Sequence, residues 1–423
     1  MRIITVRNID TIVESVRPKP SQQNRNIVKS IILDVRKRKD KAIREYEKKF
    51  TGANLKSIKV SQSEIKQAYS KVTKEQIAAI RLAKKRLEKS ELAVKKQLKK
   101  IVLQIDGIKI DKDFVPLESV GCYIPSGGAR YPSTVVMSVI PAKVAGVKKI
   151  IGVTPPNKNG MIDPLTLVAG DICGINDFYK TGGAQAIAAL AYGTESIPKV
   201  SKIVGPGGSF VTLAKLFVSE TVSIDMIAGP TELAIIADST ARPDLIALDL
   251  ISQAEHSPET TCCMITNSTK LKDLVIKYLE QKIPTIQRSK IVSESLKKNG
   301  FVAICKTLAD IIEFTNKLAP EHLEIITKNP GNIAKKITAA GLVLTGENTP
   351  SSASDYLFGS NHILPTNGFG RSRGSLGVLD YMKIRNKIES TKGALQKITN
   401  SMRAFTLAEG LPNHYEAVRS RLN

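Results

Sequence analysis

Histidine is scarce in this sequence, with only His256, His322, His362 and His414 among 423 residues. Each lies in a polar or turn-like context, and one closes the stretch Asp249-Leu-Ile-Ser-Gln-Ala-Glu-His256. There Asp249, Gln253 and His256 fall at i, i+4 and i+7, a single stripe if the segment is helical. Pro243 marks a helix start, and Leu245, Ile246, Leu248, Leu250 and Ile251 make the segment apolar nearly all round, so the helix is expected to be buried. Polar groups on a buried helix must be satisfied by protein partners, a bound ion or a ligand, because burying them unpaired costs free energy. An internal hydrogen-bond network and a metal or catalytic site both meet that demand. Further on, Glu321-His322 opens a strand-like stretch, but adjacent Glu-His pairs are common on surfaces and carry little alone.

The elements that must position these groups follow from periodicity. Residues 1–20 read as an arm ending in Pro18-Lys19-Pro20, followed by helical patterns near 22–50 and 73–98. Thr73 and Gln76 form a capping box ahead of the second. Asp106-Gly107 joins apolar runs 101–105 and 108–110 as a hairpin. From Val120 the pattern becomes strand, turn, helix, with strands expected at 120–124, 149–153, 202–204 and 233–237. Helices are expected between them at 133–145, 163–173, 184–192 and 209–219. The alternation resumes with strands at 261–266, 301–304, 322–327 and 341–345, and about 377–423 reads as a helical tail. Strands alternating with helices of this length predict an α/β fold with parallel sheets, one α/β domain inserted in another.

Glycine-rich loops follow three of these units: Pro125-Ser-Gly-Gly128, Thr181-Gly-Gly183 and Gly205-Pro-Gly-Gly208. Glycine there lets the backbone approach a phosphate at a helix N-terminus. None matches GxGxxG or a Walker loop. Tight turning explains any one of them, while three on corresponding turns point to a nucleotide or another anionic ligand.

Composition narrows the classes. A hydrophobic share of 42% with 24% charged residues is ordinary for a soluble globular protein of two or more domains. No apolar run is long enough for a membrane span, and no secretory signal pattern opens the sequence. Cys122, Cys173, Cys262, Cys263 and Cys305 form no CxxC pair, which fits a reducing cytoplasm. The net charge of +24 would suit a polyanion, but the lysines concentrate before residue 115 on expected exposed helix faces. Aromatic residues are only 5% with no Trp, so base-stacking platforms are poorly supplied and no nucleic-acid partner is expected.

Read as blocks, the sequence resembles the histidinol dehydrogenase family. The resemblance rests on Gly121-Cys-Tyr-Ile-Pro-Ser-Gly-Gly, Gly182-Gly-Ala-Gln-Ala-Ile-Ala-Ala, Ile224-Asp-Met-Ile-Ala-Gly-Pro-Thr-Glu232, Ser252-Gln-Ala-Glu-His256, Ala319-Pro-Glu-His-Leu-Glu-Ile325, Ser354-Asp-Tyr and Asn361-His-Ile-Leu-Pro365, in order across nearly the whole chain. It implies oxidation of L-histidinol through L-histidinal to L-histidine, with two NAD and one zinc per subunit of a homodimer. It implies zinc ligands at Gln253, His256, Asp355 and His414, with Asp249 behind them as an orienting group. Glu321 and His322 match the catalytic pair, His322 taking the alcohol proton and Glu321 activating water on the aldehyde. Substrate contacts map to Thr231, Gln253, His256, His322, Asp355, His362, Glu409 and His414, with Thr231 where the family usually has Ser. Cofactor contacts map to Tyr123, Gln185 and Gly208, the last standing where the family usually has Asn. Arg371-Ser-Arg373 is more basic than the family pattern.

The implied architecture is two incomplete Rossmann-like domains. Residues 21–119 and 233–376 would form a discontinuous domain carrying the metal and catalytic residues, and 120–232 an inserted NAD-binding domain. Residues 1–20 would be an arm and 377–423 a dimer-swapped tail. A paralogous zinc/NAD dehydrogenase of another amino alcohol or diol is the alternative enzyme, and a basic nucleic-acid-binding protein the alternative class.

Overall fold

The computed structural model describes residues 1–16, 22–126 and 130–422. The expected Pro18-Lys19-Pro20 end of the arm and Gly127-Gly128 of the first glycine loop lie outside the described residues. Among the described residues, fourteen strands form two parallel sheets and one antiparallel sheet. Strands β1 (Arg2–Thr5), β2 (Ile101–Ile105) and β3 (Ile108–Pro116) precede the first parallel layer. That layer holds β4 (Ser119–Tyr123), β5 (Lys149–Thr154), β6 (Asp177–Lys180), β7 (Lys202–Val204) and β8 (Ser223–Ile224), in the order β6-β5-β4-β7-β8. The second holds β9 (Glu232–Ala237), β10 (Thr261–Thr266), β11 (Phe301–Ile304), β12 (His322–Ile326) and β13 (Leu342–Thr345), in the order β1-β11-β10-β9-β12-β13. Counted along the chain, β4–β8 and β9–β13 share the order 3-2-1-4-5, the Rossmann arrangement, with a switch in winding between β4 and β7 and again between β9 and β12.

These strands are apolar on both faces because helices cover both. One face of the five-stranded sheet packs on helices Pro132–Ala145 and Pro164–Cys173, with Ile80 and Leu87 of helix Lys74–Gln97 beyond them. The other packs on Gly183–Tyr192 and Ser209–Val218, with Val28, Ile31 and Ile43 of helix Gln22–Thr51 outside. The predicted capping box at Thr73 and Gln76 is present.

Some elements differ from the sequence reading. The arm contributes β1, which pairs with β11, and a helix at Ile9–Val16. The tail is not wholly helical: β14 (Met382–Ser390) pairs along all nine residues with β3, and the predicted hairpin β2–β3 completes that antiparallel sheet. Its turn has Asp106 and Gly107 at φ 51° and 88°, the left-handed pair that a two-residue hairpin needs. Arg373, unexplained in sequence, is structural, since its guanidinium donates to the Asp225 carbonyl and to Asp380. Arg371 likewise donates to the Lys317 carbonyl.

Candidate active site

Helix Pro243–Ala254 forms as expected, with Ile246, Leu250 and Ile251 inward, although Leu248 is exposed. It ends before His256, whose backbone N–H turns back to the Gln253 carbonyl at 3.3 Å. The stripe therefore holds two helical residues, and His256 projects from the turn beyond. Gln253, His256 and Asp355 line one cavity between the two parallel layers, with Arg130 and Tyr131 from the five-stranded side and Arg288 and Tyr356 at its rim.

A continuous polar chain runs behind that cavity, at the amino ends of β9 and β12. Gln253 Nε2 donates to Thr231 Oγ1 at 2.7 Å, and Thr231 donates onward to Glu321 Oε2 at 2.6 Å. The Glu232 backbone N–H also donates to Glu321 Oε2, at 2.7 Å. Because Gln253 spends its N–H on Thr231, its carbonyl oxygen is the end left to face a cation. Thr231 thus does with its hydroxyl what the family's usual serine could do.

His322 opens β12 and is buried, with Nδ1 3.1 Å from the Glu232 carbonyl and Nε2 3.2 Å from Asp355 Oδ1. Burial opposes charging the imidazole, but the Glu321 and Asp355 carboxylates outweigh it and push the pKa well above the usual histidine range. Both ring nitrogens face acceptors, which is the hydrogen-bond pattern of an imidazolium. Burial would raise the Asp355 carboxyl, yet the bond from His322 and that imidazole's charge hold it below its ordinary value. His362 places Nδ1 2.8 Å from the Asp355 carbonyl and Nε2 3.4 Å from Thr134 Oγ1 on helix Pro132–Ala145. Burial keeps its pKa low, so it stays a neutral bridge between layers.

Glu232 was not singled out in sequence, yet it organises the site. Its carboxylate accepts from the backbone N–H groups of Glu321 at 3.3 Å and Asn367 at 2.9 Å, while its carbonyl receives His322. Asp249 does not stand directly behind a ligand. It meets Glu324 of β12, whose Oε1 accepts from Ser351 N–H at 2.6 Å.

Glu409 and His414 are not brought to this cavity. Helix Pro412–Arg419 has no buried residue and packs on helix Lys392–Ala408, and both side chains are exposed. Among the described residues no three His, Cys, Asp or Glu side chains converge as a metal site. One chain offers His256 and Asp355, with the Gln253 oxygen beside them.

The expected cofactor positions gather at the carboxyl ends of the five-stranded layer. Tyr123 ends β4, and its hydroxyl accepts from Gly183 N–H at 3.2 Å. A Cβ at Gly205, where φ is 114°, would lie 2.1 Å from the Tyr123 carbonyl oxygen, so that turn requires glycine. Gln185 is buried in the first turn of helix Gly183–Tyr192, and its Oε1 has no partner among the described residues. Gly208 is the N-cap of helix Ser209–Val218, and nothing lies within 4 Å of a Cβ built there. An orphaned amide oxygen and a bare N-cap beside glycine turns fit a dinucleotide.

Two Rossmann-ordered layers closing on a cavity of imidazole, carboxylate and amide groups place the chain among the Rossmann-like α/β enzymes. A sequence model of the histidinol dehydrogenase family matches residues 15–422. A relative from Methanocaldococcus jannaschii described as histidinol dehydrogenase is 43% identical over 395 residues, spanning 93% of this chain and 92% of that one. Another, from Clostridium acetobutylicum, is 40% identical over 426 residues, spanning 100% and 99%. The crystal structure of histidinol dehydrogenase from Elizabethkingia anophelis aligns with a TM-score of 0.93 at 36% identity, covering 100% of this chain and 98% of that one. The chain belongs to the histidinol dehydrogenase family of oxidoreductases.

Proposed function

We propose that this chain oxidises L-histidinol through the aldehyde to L-histidine, the last steps of histidine biosynthesis, using zinc and NAD. The observation that carries this reading is the chain of hydrogen bonds joining Gln253, Thr231 and Glu321 beside the His322–Asp355 pair, in a member of this family. Gln253, His256 and Asp355 would hold zinc from one subunit, and Tyr123, Gln185 and the Gly205–Gly208 turn would hold NAD. When bound, zinc would supply a Lewis acid that orients the substrate, and NAD would supply the hydride acceptor for the two oxidations.

The residues act as follows. With the Asp355 carboxylate engaged by a cation, His322 keeps Nδ1–H on the Glu232 carbonyl and frees Nε2 to take the alcohol proton. Thr231 and the Glu232 N–H both bond Glu321 Oε2, which leaves Oε1 to take a proton from the water that adds to the aldehyde. His362, half-buried at the layer boundary, orients the substrate's polar head.

The working unit is a homodimer in this reading. Phe405, Leu407 and Leu411 on the tail are exposed, as are Ile384 and Ile388 of β14 with Leu103 of β2 on the same side of that sheet, apolar surface that a second copy would cover. Such docking carries Glu409 and His414 to the partner's cavity, His414 completing the metal set. The five cysteines, all free and buried, support a reducing cytoplasm.

The test is NADH formation from histidinol after chelation and after zinc is restored. Activity lost on chelation and regained with zinc supports the assignment. Full activity in metal-free protein overturns the zinc role, and faster turnover of another amino alcohol or diol would favour the paralogous reading.

A further inference from the structure

Glu47 lies on helix Gln22–Thr51, far in sequence from every site residue named above, yet it ends beside the expected cofactor residues. Its side chain is fully buried. Three donors converge on its Oε1, each at 2.9 Å: Thr181 Oγ1, Gly182 N–H and Gln185 Nε2. Gly182 is the N-cap of helix Gly183–Tyr192 and offers no capping side chain, so the Glu47 carboxylate caps that helix from outside. Its Oε2 has no partner among the described residues.

The consequence falls on Gln185. A carboxylate only accepts, so the Gln185 amide must turn its nitrogen to Glu47 and its oxygen the other way. That oxygen is buried and unpartnered among the described residues. A Cβ on Gly183, where φ is 59°, would lie 2.8 Å from it, so only glycine at that position leaves room for the oxygen. On the same turn the Tyr123 hydroxyl accepts from Gly183 N–H and keeps its own proton to donate. Burial pushes that phenol up to about 12, so the proton stays in place at neutral pH.

We propose that Glu47 is a positioning residue of the cofactor subsite: it fixes Gln185 as an acceptor beside the Tyr123 donor, so the group recognised there both donates and accepts hydrogen bonds. On NAD that description fits a ribose hydroxyl or the nicotinamide carboxamide. The inference rests on the NAD reading above and adds the polarity of one contact and the residue that sets it.

The test is calorimetric binding to the zinc-loaded protein. The ligands are NAD, an analogue with methyl in place of the carboxamide NH2, and an analogue lacking a ribose hydroxyl. Wild-type protein should bind NAD and lose roughly three- to tenfold in affinity for one analogue, the worth of about one hydrogen bond. Glu47→Gln keeps an acceptor oxygen for the three donors and should behave as wild type. In Glu47→Met the Gln185 amide is free to turn, so NAD should bind more weakly and the analogue's penalty should largely disappear. Zinc affinity should be unchanged. A Glu47→Met protein that keeps the full penalty shows only a structural tie between helices and overturns the proposal. Gln185→Met covers the case in which Glu47→Met does not fold: it should erase the analogue penalty, and a penalty that persists overturns the proposal. Wild-type protein that binds no NAD overturns the cofactor reading itself, and this inference with it.

Discussion

Glu321 and His322 are neighbours in sequence whose side chains also meet, Glu321 Oε2 lying 3.7 Å from His322 Nδ1, but each is held by its own set of partners. Glu321 is held by Thr231 and the Glu232 N–H, and His322 by the Glu232 carbonyl and Asp355. Glu321→Gln should therefore slow oxidation of the aldehyde more than oxidation of the alcohol, as steady-state rates on the two substrates would show. Equal loss on both would make the carboxylate merely structural. His322→Ala should slow alcohol oxidation by roughly 10²–10⁴-fold, the usual worth of a positioned base, most severely at neutral pH. Gly208 makes a third case. Its φ of −65° and its free surroundings show that neither backbone nor space demands glycine there. Gly208→Asn should tighten NAD by about 0.5–1.5 kcal/mol, one hydrogen bond, and leave histidinol affinity alone, with weaker NAD binding as the contrary result in calorimetry. Glu321 and His322 could be matched in sequence because they sit in the block Ala319–Ile325. Glu232 could not be picked out, because most of its work is done by backbone atoms and by a carboxylate bonding distant N–H groups, which leave no spacing to read.

At the level of elements, the site depends on Glu324 joining three of them: β12, the short helix Ser351–Ser354 that precedes Asp355, and helix Pro243–Ala254 through Asp249. Burial, then the nearby Asp249 carboxyl, raises the Glu324 pKa to about 8, and burial raises Asp249 as well. A carboxyl whose folded pKa lies above its unfolded value makes the folded state hold more protons than the unfolded one. Its penalty is absent below the ordinary carboxyl range near 4.5 and grows as pH rises toward about 8. Glu324→Gln removes that titration, so the stability difference between wild type and variant should shift in the variant's favour as pH rises from 5 to 8. A difference that stays flat in denaturant melts across that range would contradict the raised Glu324 carboxyl. The apolar strands and capped helices were legible because period and caps are local signals. β14 was not read, although Ile384 and Ile388 alternate with charges, because most of that strand is exposed and its stability comes from pairing with β3. β1 escaped for a similar reason, four residues gaining their hydrogen bonds from β11.

On the scale of the whole molecule, the two layers meet with opposite strand ends, Tyr123 at the carboxyl end of β4 and His322 at the amino end of β12. Grouped by what they pack on, helices Gln22–Thr51 and Lys74–Gln97 go with the five-stranded layer, a long-range association that no local pattern announces. Buried Lys215 and Asp225 pair beside Gly205, and Arg373 ties the Asp225 carbonyl to Asp380, which joins that glycine turn to the strand leading into the tail. Glu409 and His414 on the tail are exposed and stand away from the chain's own cavity, the arrangement that the proposed sharing between subunits would need. His256→Ala and His414→Ala dimers should each be nearly dead, while co-refolding them should return about a quarter of wild-type activity, because a mixed dimer gathers both lesions in one site. Confirmed mixed dimers without activity would refute sharing. The central claim, two oxidations at one cavity, is tested most directly by stoichiometry. With zinc-loaded enzyme, limiting histidinol and excess NAD, the endpoint should be two NADH and one histidine per histidinol consumed. One NADH per histidinol with accumulating aldehyde, or no NADH at all, would contradict it.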